Sequence, residues 1–130
     1  MDVVWDTGSD WLIVASEQCE TCNGQKYDSS QDQSYVQVEQ SDMTIQYGSG
    51  AARGYRSSAS VCMEGEKQSC TDMDFILVEE QKGLDYISGI VGLSTGQSQY
   101  ADGDLIIEEL FRAGVIERPV FGFYLTGENR

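Results

Sequence analysis

Residues 3–14 read Val-Val-Trp-Asp-Thr-Gly-Ser-Asp-Trp-Leu-Ile-Val, two apolar, strand-prone runs on either side of a tight Asp6-Thr7-Gly8-Ser9 turn. Runs of this kind belong to strands buried in a sheet, and the turn between them carries one carboxylate, Asp6, to a sharply bent tip. Taken on its own residues the turn has two readings. Asp and Gly are ordinary turn formers, the one capping local amides and the other supplying backbone freedom. The same arrangement also presents a carboxylate for chemistry, and a short motif alone does not decide between the two.

Composition narrows the chemistry. The 130 residues hold no histidine, which excludes Ser-His and Cys-His nucleophiles and histidine-ligated zinc and leaves carboxylates for acid–base work. Acidic residues outnumber basic ones 22 to 8, for a net charge of −14. Such a charge repels nucleic acid and anionic membranes, so neither is expected as a partner. The repulsion fades toward the sequence pI near 4.1, which suits an acidic compartment. The length fits one domain with one modest core. No run reaches the roughly 18 apolar residues of a membrane helix, and Met1-Asp2-Val3 lacks the basic start and apolar core of a signal peptide.

Further along, Cys19-Glu20-Thr21-Cys22 lies in a polar loop, open to a small disulfide, half a zinc site or a redox pair. Cys62 and Cys70 flank a polar turn between strand-like segments, as in a hairpin stapled across its ladder; a four-cysteine zinc site is the other reading. From Tyr35 to Tyr47 apolar residues alternate with polar ones (Val36, Val38, Met43, Ile45, Tyr47), the period of half-buried strands. Tyr47-Gly48-Ser49-Gly50 makes a glycine-bearing tip, with Gly54 on the return arm. Asp74–Val78 and Ile87–Leu93 read as buried strands, the second with Gly89 and Gly92 where backbones approach closely. Leu105, Ile106, Leu110, Phe111 and Ala113 have helical spacing, with Asp102 and Asp104 as starting acids and Gly114 as the stop. Pro119 then introduces a closing strand, Val120–Leu125, before the polar tail Thr126-Gly127-Glu128-Asn129-Arg130.

Four stretches together resemble the N-terminal lobe of pepsin-like aspartic proteases, in that family's order and across nearly the whole chain. They are the Val3–Val14 turn, the loop Tyr27–Tyr35, the flap-like Thr44–Gly50, and Ser88-Gly89-Ile90-Val91-Gly92-Leu93 beside the turn. The resemblance implies an all-β lobe, with closed, barrel-like sheets, a flap hairpin and one or two short helices. It implies a disulfide for Cys19 and Cys22 and favours disulfides for all four cysteines, although Cys62–Cys70 has no counterpart in the pepsin pattern. Four paired cysteines imply an oxidising compartment, secreted, lysosomal or vacuolar.

For the site, the resemblance implies that Asp6 is one member of a carboxylate pair that shares a proton. Thr7 and Gly8 would hold the two turns together, and Ser9 would hydrogen-bond the outer oxygen of Asp6. Tyr47, with Gly48 and Ser49, would close over a polypeptide substrate, and Val4, Tyr47 and Ile90 would line a pocket for large apolar side chains. No cofactor and no metal is implied. The family has Trp where Ile13 stands, so Trp11 is the stand-in expected to bond the flap tyrosine. Asp-Gly is also commoner than Ser88-Gly89 in the family. Asp10, Asp28, Asp32 and Asp102 lack the turn context, so the second catalytic aspartate is expected on another lobe. Residues 1–130 are accordingly read as an N-terminal lobe lacking its first strands and the C-terminal lobe, inactive alone and poorly soluble where an open edge remains. Two other readings stand beside this one: a homodimer that pairs two copies of Asp6 as retroviral proteases do, and a non-catalytic peptide-binding lobe.

Overall fold

Strands come from the apolar and alternating runs, and their order brings the two ends of the chain's first turn to either side of a later strand. In a computed structural model that describes residues 1–64, 69–84, 87–95 and 104–127, the strands are β1 (Val4–Asp6), β2 (Leu12–Ala15), β3 (Val36–Gln46), β4 (Ala51–Met63), β5 (Ser69–Lys82) and β6 (Gly89–Gly92), followed by one helix, α1 (Ile106–Arg112). They form one sheet in the order β1-β6-β2-β5-β4-β3. β6 lies parallel to β1 and antiparallel to β2. β2 is parallel to β5, and β5, β4 and β3 form an antiparallel meander.

The fold is all-β as expected, but the sheet is open where a closed, barrel-like one was expected. β1 and β3 stand at opposite ends of the order. A three-residue β1 and an eleven-residue β3 offer little shared ladder for closure, which needs matched, staggered strands.

Central strands are buried on both faces, which explains their unbroken apolar sequence. Along β5, Ile76 and Val78 join Trp11, Ile13, Ala15 and Ile90 in one cluster. The alternate residues Met73, Phe75 and Leu77 join Leu12, Val91, Ile106 and Leu110 in the other. The helix covers this second face with Ile106 and Leu110. It ends as Gly114 predicts: that residue takes φ +73°, Gly114 N–H donates to Phe111 O (3.0 Å) and Val115 N–H to Leu110 O (2.9 Å), the paired bonds of a Schellman stop.

Its start differs from the expectation. Leu105 is the N-cap, with no side-chain cap bond. Asp104 instead accepts the amide of Asp74 (2.8 Å), a β5 donor just beyond the stretch that β2 covers, where an unpartnered amide is the stronger claim on a nearby carboxylate. Asp102 lies outside the described residues, as do the hairpin tip at 65–68 and the tail at 128–130.

Two strand expectations also change. Residues 119–126 form no strand, and Val120, Phe121, Phe123, Tyr124 and Leu125 are exposed, because alternation makes a strand only where a neighbour completes the ladder. β3 forms, yet Val36 and Val38 are exposed and only its far end, Met43 and Ile45, packs on the core. An edge strand has one neighbour, and nothing covers the near end of its apolar face among the described residues.

The cysteines pair as disulfides, Cys19 with Cys22 and Cys62 with Cys70, and none of the four is free. Cys62 and Cys70 are direct cross-strand partners in the β4–β5 register, so the hairpin staple stands, and with all four cysteines paired no thiolate is left for a four-cysteine zinc site.

The Tyr27–Tyr35 loop is built on two aspartate turns. Asp28 Oδ1 accepts from the Ser30 amide (2.9 Å) and hydroxyl (2.6 Å). Asp32 accepts from the Ser34 amide (2.8 Å) and hydroxyl (2.7 Å), and its other oxygen from the Tyr27 hydroxyl (2.7 Å). The Ser30 hydroxyl, then its amide, hold the Asp28 carboxyl below its ordinary range; the Ser34 and Tyr27 hydroxyls do the same for Asp32. A carboxyl whose pKa is depressed by folding stabilises the fold above its unfolded value, about pH 4, and loses that contribution as pH falls through the folded value. Amide exchange at Ser30 and Ser34, measured from pH 5 downward and corrected for intrinsic rates, should therefore show protection that declines only below about pH 4; protection unchanged down to pH 2 would contradict it.

Candidate active site

β6 lies between β1 and β2, so the chain leaving β1 at Asp6 must arch over the end of β6 before returning as β2. Two strand spacings, roughly 10 Å, separate the arms, and the turn Thr7–Trp11 bridges them. Backbone bonds fasten it to β6 and the residues just after: Leu93 N–H donates to Asp6 O (2.8 Å), Gly92 N–H to Trp11 O (3.0 Å) and Ser94 N–H to Ser9 O (3.1 Å). A side chain at Gly92 has no room, since its Cβ would lie 2.4 Å from the carbonyl carbon of Asp10 and 2.6 Å from Ser9 O. At Gly89 the obstacle is Ile13 O, 2.4 Å away. The sequence reading of both glycines as close-approach positions holds.

Asp6 is partly exposed at the tip, and its Oδ1 accepts the Gly8 amide at 3.0 Å. Thr7 and Gly8 are exposed. Ser9 differs from expectation: its hydroxyl is buried and has no hydrogen-bond partner among the described residues, so it does not reach the Asp6 carboxylate here.

The flap-like hairpin closes on itself, Tyr47 N–H donating to Gly50 O (2.7 Å) and Gly50 N–H to Tyr47 O (3.3 Å), with Gly48 and Ser49 exposed at the tip. Its base is pressed against the end of β5: a Cβ at Gly50 would lie 2.1 Å from Lys82 O, and Gly83, at φ +72°, has Ser49 O at 2.4 Å from the corresponding point. Tyr47 packs on the cluster of Trp11, Ile13 and Ile90. Its hydroxyl is buried and has no hydrogen-bond partner among the described residues, and its phenol is pushed up, chiefly by burial and next by the negative charge of Asp6.

Val4 pairs in register with Ile90. Alternation along β1 puts Val4 and Asp6 on one face and Trp5 on the other. Val4 is exposed and Ile90 buried. The structure thus brings Val4, Asp6, Tyr47 and Ile90 together on one face of the sheet. Trp11 does not act as the expected partner of the flap tyrosine; it is buried under the Arg56 guanidinium, 5.9 Å from its ring centre.

Sequence reasoning passed over Asp10. It is only 7% exposed, and the Ser94 hydroxyl donates to its Oδ1. The available signal was an acid set directly against the apolar run Trp11–Val14, where a surface residue has no place.

A cavity of about 820 Å³ opens on the opposite face, among Trp5, Leu12, Val14, Phe75, Val91 and Ile106, and Tyr27 and Asp32 also line it, bonded to each other at 2.7 Å. Among the described residues no group of His, Cys, Asp or Glu is arranged to hold a metal ion, and no helix is long and apolar enough to cross a membrane. Chemically, the face that carries Val4 and Asp6 offers a carboxylate oriented by a backbone amide, together with apolar side chains and the tyrosine of the hairpin packed on them.

A family model described as eukaryotic aspartyl protease matches residues 1–130. The chain is similar to pregnancy-associated glycoprotein 1 of Ovis aries, 31% identical over 134 residues, which cover 98% of this chain and 35% of that protein. It is 33% identical over 138 residues to a vacuolar aspartic protease of Candida albicans, covering 98% of this chain and 32% of the relative. Cathepsin D of Dictyostelium discoideum is 29% identical over 133 residues, covering 95% and 34% respectively. The chain spans about a third of the length of these curated relatives.

Proposed function

The chain belongs to the eukaryotic aspartyl protease family, and from that membership we propose that it is one catalytic lobe of an endopeptidase that hydrolyses peptide bonds at acid pH. Asp6 is one of two carboxylates that share a proton. The ionised member takes a proton from the attacking water while the protonated member donates to the scissile carbonyl oxygen; like charges in contact cannot both ionise, which sets an acid optimum. The observation that carries this reading is the Asp6 carboxylate at the tip of the turn, oriented by the Gly8 amide at 3.0 Å.

In this reading Thr7 and Gly8 join the turn to its counterpart, and Ser9 turns its buried hydroxyl to the outer oxygen of Asp6 once both turns are in place. Tyr47, Gly48 and Ser49 fold over the bound polypeptide and exclude water during reaction, while Val4 and Ile90 favour large apolar side chains beside the cut. The partner is a second lobe carrying the other aspartate; the relatives' greater length supports it. No cofactor enters. The disulfides and a relative named as vacuolar support an oxidising, acidic compartment within the secretory route.

The test is cleavage of an unfolded protein at about pH 3 to 5, where one carboxylate of a pair can hold a proton. The 130-residue chain is compared with a polypeptide extended past both of its ends. Activity is expected only in the extended form. Concentration-dependent activity of the 130-residue chain itself would replace the two-lobed reading with a homodimer, and peptide binding without cleavage in either form would make this a binding lobe.

A further inference from the structure

Asp10 is a buried carboxylate to which the peptide-cleaving chemistry assigns no task. At 7% exposure, beside Trp11 and Leu12, an acidic side chain is costly to bury unless specific bonds compensate it. The Ser94 hydroxyl donates to its Oδ1. Ser94 also donates its backbone amide to Ser9 O at 3.1 Å, so one residue beyond β6 grips the returning arm of the turn through both backbone and side chain. That arm leads straight to the group that orients the catalytic oxygen, because Gly8 N–H donates to Asp6 Oδ1 at 3.0 Å. Between the two, the Ser9 hydroxyl is buried without a partner among the described residues and adds no hydrogen bond to hold the arm. Beneath it, Gly92 lets β6 press against the Asp10 and Ser9 backbone.

Resting on the reading of Asp6 as a catalytic carboxylate, we infer that Asp10, clamped by Ser94, is a positioning residue that holds the Gly8 amide and thereby the Asp6 carboxylate in register for proton transfer. It touches no substrate. Its effect belongs in kcat, because small displacements of a reacting group weaken the transition state far more than the bound substrate.

The experiment uses the complete polypeptide that contains this lobe. Asp10→Ala, Asp10→Asn and Ser94→Ala are compared with the unaltered protein for kcat and KM at acid pH, and for hydrogen exchange at the Gly8 amide. Asp10→Ala is expected to lower kcat about tenfold or more with KM within about twofold, and to speed Gly8 exchange. Asp10→Asn keeps an acceptor oxygen of the same reach and should recover kcat to within about threefold. Ser94→Ala, which breaks the same contact from the other side, should also slow turnover. If Asp10→Ala does not fold, Asp10→Ser replaces it and is judged by the same two readouts. An unchanged kcat in a protein whose cleavage depends on Asp6 would overturn the positioning role and leave the proposed function intact. If the unaltered protein shows no Asp6-dependent cleavage, the proposed function fails instead, and Gly8 exchange alone decides the clamp: faster exchange upholds it, unchanged exchange sinks it.

Discussion

Asp6→Asn in the two-lobed protein is expected to lower kcat for cleavage of an unfolded protein at acid pH by about 10²–10⁴-fold or more, the range lost when a positioned general acid–base group is removed. The amide cannot take a proton from water, nor share one with a second carboxylate. It keeps the shape of the acid, and its carbonyl oxygen can still accept the Gly8 amide that Asp6 Oδ1 accepts at 3.0 Å. Asp6 is also only partly buried, so its replacement leaves no empty space in either core cluster. Loss of activity should therefore come without loss of stability: the unfolding free energy is expected to stay within about 0.5 kcal/mol of that of the unaltered protein, as for surface substitutions. Steady-state kinetics and an unfolding curve on the same preparation separate the two. Retained turnover with an intact fold would remove Asp6 from the chemistry and with it the central claim of the proposed function.

Gly92→Ala should act in the opposite way, through the fold. Its methyl would stand 2.4 Å from the carbonyl carbon of Asp10, 2.5 Å from the Asp10 oxygen and 2.6 Å from Ser9 O. All three are backbone atoms, so no side chain can swing aside. Relief requires lifting the turn off β6, which strains the bonds from Gly92 N–H to Trp11 O (3.0 Å) and from Ser94 N–H to Ser9 O (3.1 Å). Overpacking of this kind costs about 1–3 kcal/mol and each weakened hydrogen bond about 1 kcal/mol more. A destabilisation of about 3 kcal/mol is therefore expected, together with loss of cleavage as Asp6 moves. The comparison is Gly48→Ala at the hairpin tip, where an added methyl meets nothing within 4 Å and stability should change by less than about 0.5 kcal/mol. Equal midpoints for the two variants in urea would show that the close approach of β6 to the turn is not rigid.

Much of this arrangement was legible because the signals are local. Continuous apolar runs at Leu12–Val14, Asp74–Val78 and Ile90–Val91 are what a strand buried on both faces requires, and those segments lie in β2, β5 and β6. Gly114 stops the helix because a left-handed backbone there closes the Schellman bonds without a Cβ penalty. Cys62 and Cys70 read as a staple because opposite positions of a hairpin lie within bridging distance. Where the answer depended on a neighbour, the sequence misled. Among the described residues Val120–Leu125 has a strand's alternation but no ladder partner, and nothing covers the apolar face of Val36 and Val38; Asp104 was drawn from helix capping to the Asp74 amide.

By itself, then, the sequence determined a β-rich chain with a single Asp-Thr-Gly turn, glycines on the strand beside it and no histidine chemistry, since these follow from residue type, period and short spacing. Tertiary structure alone decided that β6 runs between β1 and β2, that the sheet stays open, that the Ser9 and Tyr47 hydroxyls lie unpartnered among the described residues, and that Asp10 is gripped by Ser94 from 84 residues away. Those are contacts between distant segments, and no local pattern encodes them: strand order and register select which side chains meet, and only then does burial set what each carboxylate and hydroxyl can do.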